Sequence, residues 1–146
     1  MKFLLVLGLF VVACSAQTTA QSETETSLQA AVDAAKQACI DETGVPEAVV
    51  LRVRNLQPVI SRKGKCYAAC LMDKFQVMDE NNYVDVEKTV QVNVPVLGDD
   101  PDVLNAARRV FTLCSANYEM DRCDFAHNFL TCIFRFEVTS KLRFLL

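Results

Sequence analysis

Apolar residues recur along most of the chain at three- and four-residue steps, the period of a helix packed on one side. From Ser27 to Thr43 the series Leu28, Ala31, Val32, Ala35, Ala38 and Cys39 falls on one face, and Gly44 is placed to stop the helix. Pro46 suits the first turn of a second helix, where its missing N–H costs nothing; Val49, Val50, Val53 and Leu56 form the apolar side and Pro58 ends it. A third helix is predicted over Arg62–Met78, with Cys66, Cys70, Phe75 and Met78 on one stripe, and Asp79-Glu80-Asn81-Asn82 reads as a turn. Valines at 84, 86, 90, 92 and 94 partly alternate, as in a strand, but the helical surroundings favour a short helix, and helix is the expectation. Asp100 before Pro101 is an N-cap signature. It opens a helix with Leu104, Ala107, Phe111 and Cys114 on one face, running to about Tyr118. Asp121 can cap a last helix carrying Cys123, Phe125, Phe129, Cys132 and Phe136. An all-α fold of about six helices is predicted.

The N-terminus departs from this pattern. Met1-Lys2 precedes an apolar run from Phe3 to Ala13 and the small residues Cys14-Ser15-Ala16, the arrangement of a secretory signal peptide cleaved after Ala16. The run is shorter than the roughly 20 residues that span a bilayer. Val11-Val12-Ala13-Cys14 also resembles a bacterial lipoprotein cleavage box, but the cysteine set behind it argues against lipidation of Cys14. A secreted, extracellular protein without a membrane anchor is expected, with leader 1–16, a loose polar stretch from Gln17 to Thr26, and one domain over 17–146.

Composition narrows the function classes. A chain of 146 residues that is 51% hydrophobic, with a net charge of −3, collapses into a core and is not disordered. Its 15 basic side chains are outnumbered by 18 acidic ones, the wrong balance for tracking phosphates, so nucleic acid is not an expected partner. Without the leader six of the seven cysteines remain: Cys39, Cys66, Cys70, Cys114, Cys123 and Cys132. An even set in an exported domain reads as three disulfides. Zinc fits poorly, because the nearest pair has three intervening residues and only His127 could join it; no metal and no cofactor are expected. Nine residues of helix rotate about 900°, so Cys123 and Cys132 on one helix face opposite ways and reach different neighbours. The pairing itself stays open on this reasoning.

The cysteine spacing carries a further signal. Cys39, 26 residues, Cys66, three, Cys70, 43, Cys114, eight, Cys123, eight and Cys132 resembles the six-cysteine insect odorant-binding proteins, the pheromone- and general-odorant-binding family. The flanks agree: Cys39-Ile40-Asp41-Glu42-Thr43-Gly44-Val45, Lys65-Cys66-Tyr67-Ala68-Ala69-Cys70-Leu71, Asp79, and Val84-Asp85-Val86-Glu87-Lys88. The likeness covers nearly all of the chain after the leader. One departure is Asn81-Asn82, where the family often has glycine; asparagine tolerates the left-handed backbone such a turn needs. The resemblance implies the bridges Cys39–Cys70, Cys66–Cys123 and Cys114–Cys132. It implies a carrier of odorants or pheromones, holding one small hydrophobic molecule in an internal cavity through an aqueous fluid such as sensillar lymph. A membrane odorant receptor or a second copy of the chain are further candidate partners. The alternatives are the same fold carrying lipids or hormones in haemolymph, saliva or reproductive fluid, and a surface-interaction protein without a ligand.

Met72, Phe75, Val94, Leu97, Phe111, Phe129 and Phe136 are the candidate ligand-binding residues, being large, apolar and on inward stripes. After Cys132 the chain ends in Lys141-Leu142-Arg143-Phe144-Leu145-Leu146. By resemblance to relatives with tails of this length, Phe144, Leu145 and Leu146 fold over the cavity mouth, with the terminal carboxylate in a pH-sensitive latch. His127, the one histidine, titrates in the physiological range. Enzyme chemistry is not expected. A phospholipase A2 needs a His-Asp pair, adjacent cysteines and a glycine-rich loop, whereas here Asn128 follows His127, and no Gly-x-Ser-x-Gly turn serves a hydrolase.

Overall fold

The computed structural model describes residues 16–116 and 121–146; side chains are described from Thr26 onward, apart from 117–120 and 143–145. The expected leader therefore lies outside the described residues but for Ala16. The chain divides into two compact units, 1–34 and 35–146. The described residues of the first belong to helix α1, Ala16–Thr43. This helix takes in Gln17–Thr26, expected to be loose. The stretch contains neither glycine nor proline, and its Gln, Glu and Ala are good helix formers, so polarity alone does not keep it from coiling. Ala31 and Ala38, placed by spacing on the apolar side, are exposed.

Six further α-helices build the second unit: α2 (Glu47–Arg54), α3 (Arg62–Lys74), α4 (Val86–Val92), α5 (Val94–Leu97), α6 (Pro101–Ser115) and α7 (Arg122–Ile133). A 3-10 helix over Glu137–Leu145 follows. No strand occurs among the described residues, so the valine-rich stretch is helical. It is split at Asn93, where the backbone N–H bonds the Val90 carbonyl, three residues back, and the α-helical ladder ends. That break and the C-terminal 3-10 helix are the two elements beyond the six predicted.

The N-caps form where the short polar residues stand. Ser61 accepts from the Gly64 N–H, Asp85 from Lys88, Asp100 from Asp102 and Asp121 from Asp124. Helix stops are less uniform. Gly44 ends α1 with φ of +59°, as glycine readily does. Helices α2 and α3 stop through the same left-handed residue without glycine, Leu56 at +54° and Gln76 at +56°. After α3 the Gln76 N–H reaches the Asp73 carbonyl and the Val77 N–H reaches Met72, the paired bonds of a Schellman motif. The third helix thus ends at Lys74 and not at Met78, and Val77 is turned back toward Met72.

Three disulfides staple the unit: Cys39–Cys70 joins α1 to α3, Cys66–Cys123 joins α3 to α7, and Cys114–Cys132 joins α6 to α7. Helices α3 and α7 form the most extensively packed pair. Their contact is framed by ion pairs, Lys65 Nζ to Asp124 Oδ1 at 2.7 Å and Arg62 to Asp121 at 2.7 Å. Arg122 bonds Asp73, the Asp79 carbonyl and Asn82, tying the end of α3 and its turn to the start of α7.

At Gly64, α3 lies close against the preceding chain. A Cβ there would lie 2.4 Å from Val59 Cγ1 and 2.6 Å from Val49 Cγ1. Gly64→Ala is expected to destabilise the fold by about 1–3 kcal/mol through overpacking, measured as a lowered urea midpoint; an unchanged midpoint would show that the two valines yield freely.

Candidate ligand-binding cavity

The core of the second unit is not filled. A hollow partly open to solvent is walled by thirteen residues, of which eleven are apolar. Helix α3 and its left-handed exit supply Leu71, Met72, Phe75 and Val77; α6 supplies Phe111. Leu130 and Ile133 come from α7 beside Phe129, with Phe134 just past the helix end. Phe129 stands between two other rings, with centroids 6.3 Å from Phe111 and 6.1 Å from Phe125, so packing from behind holds this wall in place. The two polar wall residues, Thr89 and Asn93, face the cavity from the α4 side.

The C-terminal segment completes the enclosure. Thr139 is fully buried, and its hydroxyl donates toward the carbonyls of Ile133 and Phe136, which also accept from the Phe136 and Thr139 N–H groups just past the end of α7. That anchor turns the chain back over the core. Leu142 and Leu146, each 3% exposed, then enter the wall. The side chains of Phe144 and Leu145, named with Leu146 as a lid, lie outside the described residues.

An independent comparison of the chain with protein families matches residues 21–135 to the PBP/GOBP family. The chain belongs to that family. The matched span includes eleven of the thirteen wall residues, all but Leu142 and Leu146. General odorant-binding protein 28a of Drosophila melanogaster is 29% identical over 97 residues, 66% of this chain and 68% of that protein. General odorant-binding protein 19d of the same species is 28% identical over 132 residues, 90% of this chain and 87% of that one. The solved structure of the Drosophila odorant-binding protein 28a superposes with a TM-score of 0.62 at 27% identity, over 75% of this chain and 91% of that one. An odorant-binding protein of Locusta migratoria shares the fold, with a TM-score of 0.60 at 21% identity, over 81% of this chain and 86% of that one. The PBP/GOBP family is the one to which the cysteine spacing pointed. The turn without glycine takes its left-handed residue from Asn82, at φ +61°.

Of the seven apolar residues singled out from sequence, the structure brings Met72, Phe75, Phe111 and Phe129 together on the wall, and leaves Val94, Leu97 and Phe136 off it. The break at Asn93 resets the helical phase, which puts Val94 half-buried and Leu97 in closed core on α5. Phe136 follows the end of α7, so the stripe through Phe129 does not continue to it. Sequence reasoning missed Leu130 and Ile133, although Ile133 lies four residues from Phe129 and three from Leu130, the spacing of one helix face. Val77 was hidden by a stop with no glycine to announce it. Thr89 and Asn93 were passed over because only apolar residues were sought.

His127 is half-buried on α7 and is not a wall residue. Burial holds its imidazole below the ordinary 6.5; Lys65 acts in the same direction and Asp124 opposes them. The unfolded chain therefore takes up the proton at higher pH than the folded one. Its contribution to stability is complete above 6.5 and is lost as pH falls from there through the folded value. His127→Gln is expected to flatten stability against pH in that window, read from urea midpoints between neutral pH and about pH 5. An unchanged slope would assign the dependence to other groups.

Proposed function

We propose that this PBP/GOBP-family chain is a carrier that takes one small hydrophobic molecule into the cavity and conveys it through an aqueous fluid. The observation that carries this reading is an apolar hollow in a core that three disulfides hold together. Unfilled space costs stability, because wall atoms lose packing partners. A ligand returns those contacts. One with about 300 Å² of apolar surface gains roughly 7 kcal/mol on burial, before the cost of immobilising it.

The names of the Drosophila relatives, general odorant-binding proteins, support odorants as the ligand class. Binding without catalysis fits the same wall: Thr89 and Asn93 are poor general acids and bases at neutral pH, and the one histidine stands elsewhere. An exported fluid fits the bridges, since disulfides persist in oxidising compartments. Among the described residues no helix is long and apolar enough to cross a membrane. Delivery to a membrane odorant receptor and pairing with a second copy are further parts of this proposal. So is a lid formed by the C-terminal segment, supported by the places of Leu142 and Leu146 in the wall.

The chain has no tryptophan, so the test uses an apolar fluorescent probe titrated into the oxidised protein. Saturable one-site binding with a Kd on the order of micromolar is expected. Removing residues 142–146 should weaken it by about fivefold to tenfold, the worth of two leucine contacts. Absence of saturable uptake by the bridged protein would overturn the carrier reading, and unchanged affinity after truncation would overturn the lid.

A further inference from the structure

Thr89 and Asn93 stand one helical turn apart, both buried, at 1% and 5% exposure. Asn93 Nδ2 donates to the Thr89 carbonyl oxygen at 2.8 Å. A carbonyl only accepts, so this bond fixes which way the amide faces and leaves Oδ1 as its free end. Among the described residues nothing donates to Oδ1. The oxygen is not sealed among packed atoms in the way the Tyr67 hydroxyl is; Asn93 borders the open cavity. Beside it the Thr89 hydroxyl lies 3.5 Å from the Val77 carbonyl, the outer limit of a hydrogen bond, so its proton is weakly held.

We propose that Asn93, with Thr89 beside it, reads a hydroxyl group and gives the cavity a preference for apolar ligands that carry an alcohol. The inference rests on the carrier reading and names its ligand class. An alcohol donates to Asn93 Oδ1 and accepts from the Thr89 hydroxyl, filling both positions at once. Ethers, esters and alkanes bring no donor, and leave a buried acceptor unpaired in a site closed to water by the ligand itself.

The test is displacement of a bound apolar fluorescent probe by a long-chain primary alcohol and by the methyl ether of matched length. The alcohol should bind the unaltered protein roughly tenfold more tightly than the ether, the worth of about one net buried hydrogen bond. In Asn93→Leu the ratio should fall close to one; in Thr89→Val, which is nearly isosteric, it should fall part-way. Asn93→Leu also takes the donor from the Thr89 carbonyl. If it does not fold, Asn93→Ser, smaller and too short to reach the ligand, replaces it with the same expectation. Equal binding of alcohol and ether by the unaltered protein, or a ratio that survives loss of the Asn93 amide, overturns this proposal and leaves the carrier reading standing. Failure of both ligands and of the probe to bind overturns both.

Discussion

Helices α3 and α7 are locked face to face through Cys66–Cys123, and the other parts of the second unit take their places from that pair. Each helix carries one more cysteine. Cys70 of α3 holds Cys39 of α1, and Cys132 of α7 holds Cys114 of α6. The same two helices contribute much of the cavity wall, through Leu71, Met72 and Phe75 on one side and Phe129, Leu130 and Ile133 on the other. Stability and binding therefore compete for one surface, since each wall residue packs less well than it would in a filled core. Bridges worth about 2–4 kcal/mol each offset that loss without occupying the space a ligand needs.

Charge plays a positional part in this frame. The pair Arg62–Asp121 is open to solvent, where such a contact adds little net stability, and Lys65–Asp124 is part-buried. Their effect is to set α3 against the first turn of α7, beside the Cys66–Cys123 bridge. Arg122 acts in the same way at the other end of α3. By holding Asp73, the Asp79 carbonyl and Asn82 together, it places the turn that leads to α4, and α4 brings the two polar groups to the wall.

Much of this was legible in the amino-acid sequence, and the failures have more than one cause. Helical period and the short polar caps at Ser61, Asp85, Asp100 and Asp121 are local signals, and the elements they mark lie close to where they were expected. Helix ends at Leu56 and Gln76 put a left-handed backbone in residues that do not favour it, so nothing in their residue type announces them. The break at Asn93 moved Val94 and Leu97 off the wall, and its local sign was Pro95, which cannot continue the preceding helix. Thr139, whose buried hydroxyl turns the tail back, looks like any surface threonine until α7 is seen to end beside it. The polar positions of the cavity were illegible because burial, which gives Thr89 and Asn93 their meaning, is a property of the fold.

The central claim is that apolar ligands enter the space between α3, α6, α7 and the C-terminal segment. Methyl-resolved NMR during titration with an apolar ligand tests it most directly. The account predicts that the methyl signals of Met72, Ile133 and Leu142 shift together and saturate at one ligand per chain, while those of exposed Leu51, Ile60 and Leu113 stay still. Shifts confined to the exposed residues, with the wall methyls unmoved, would contradict it.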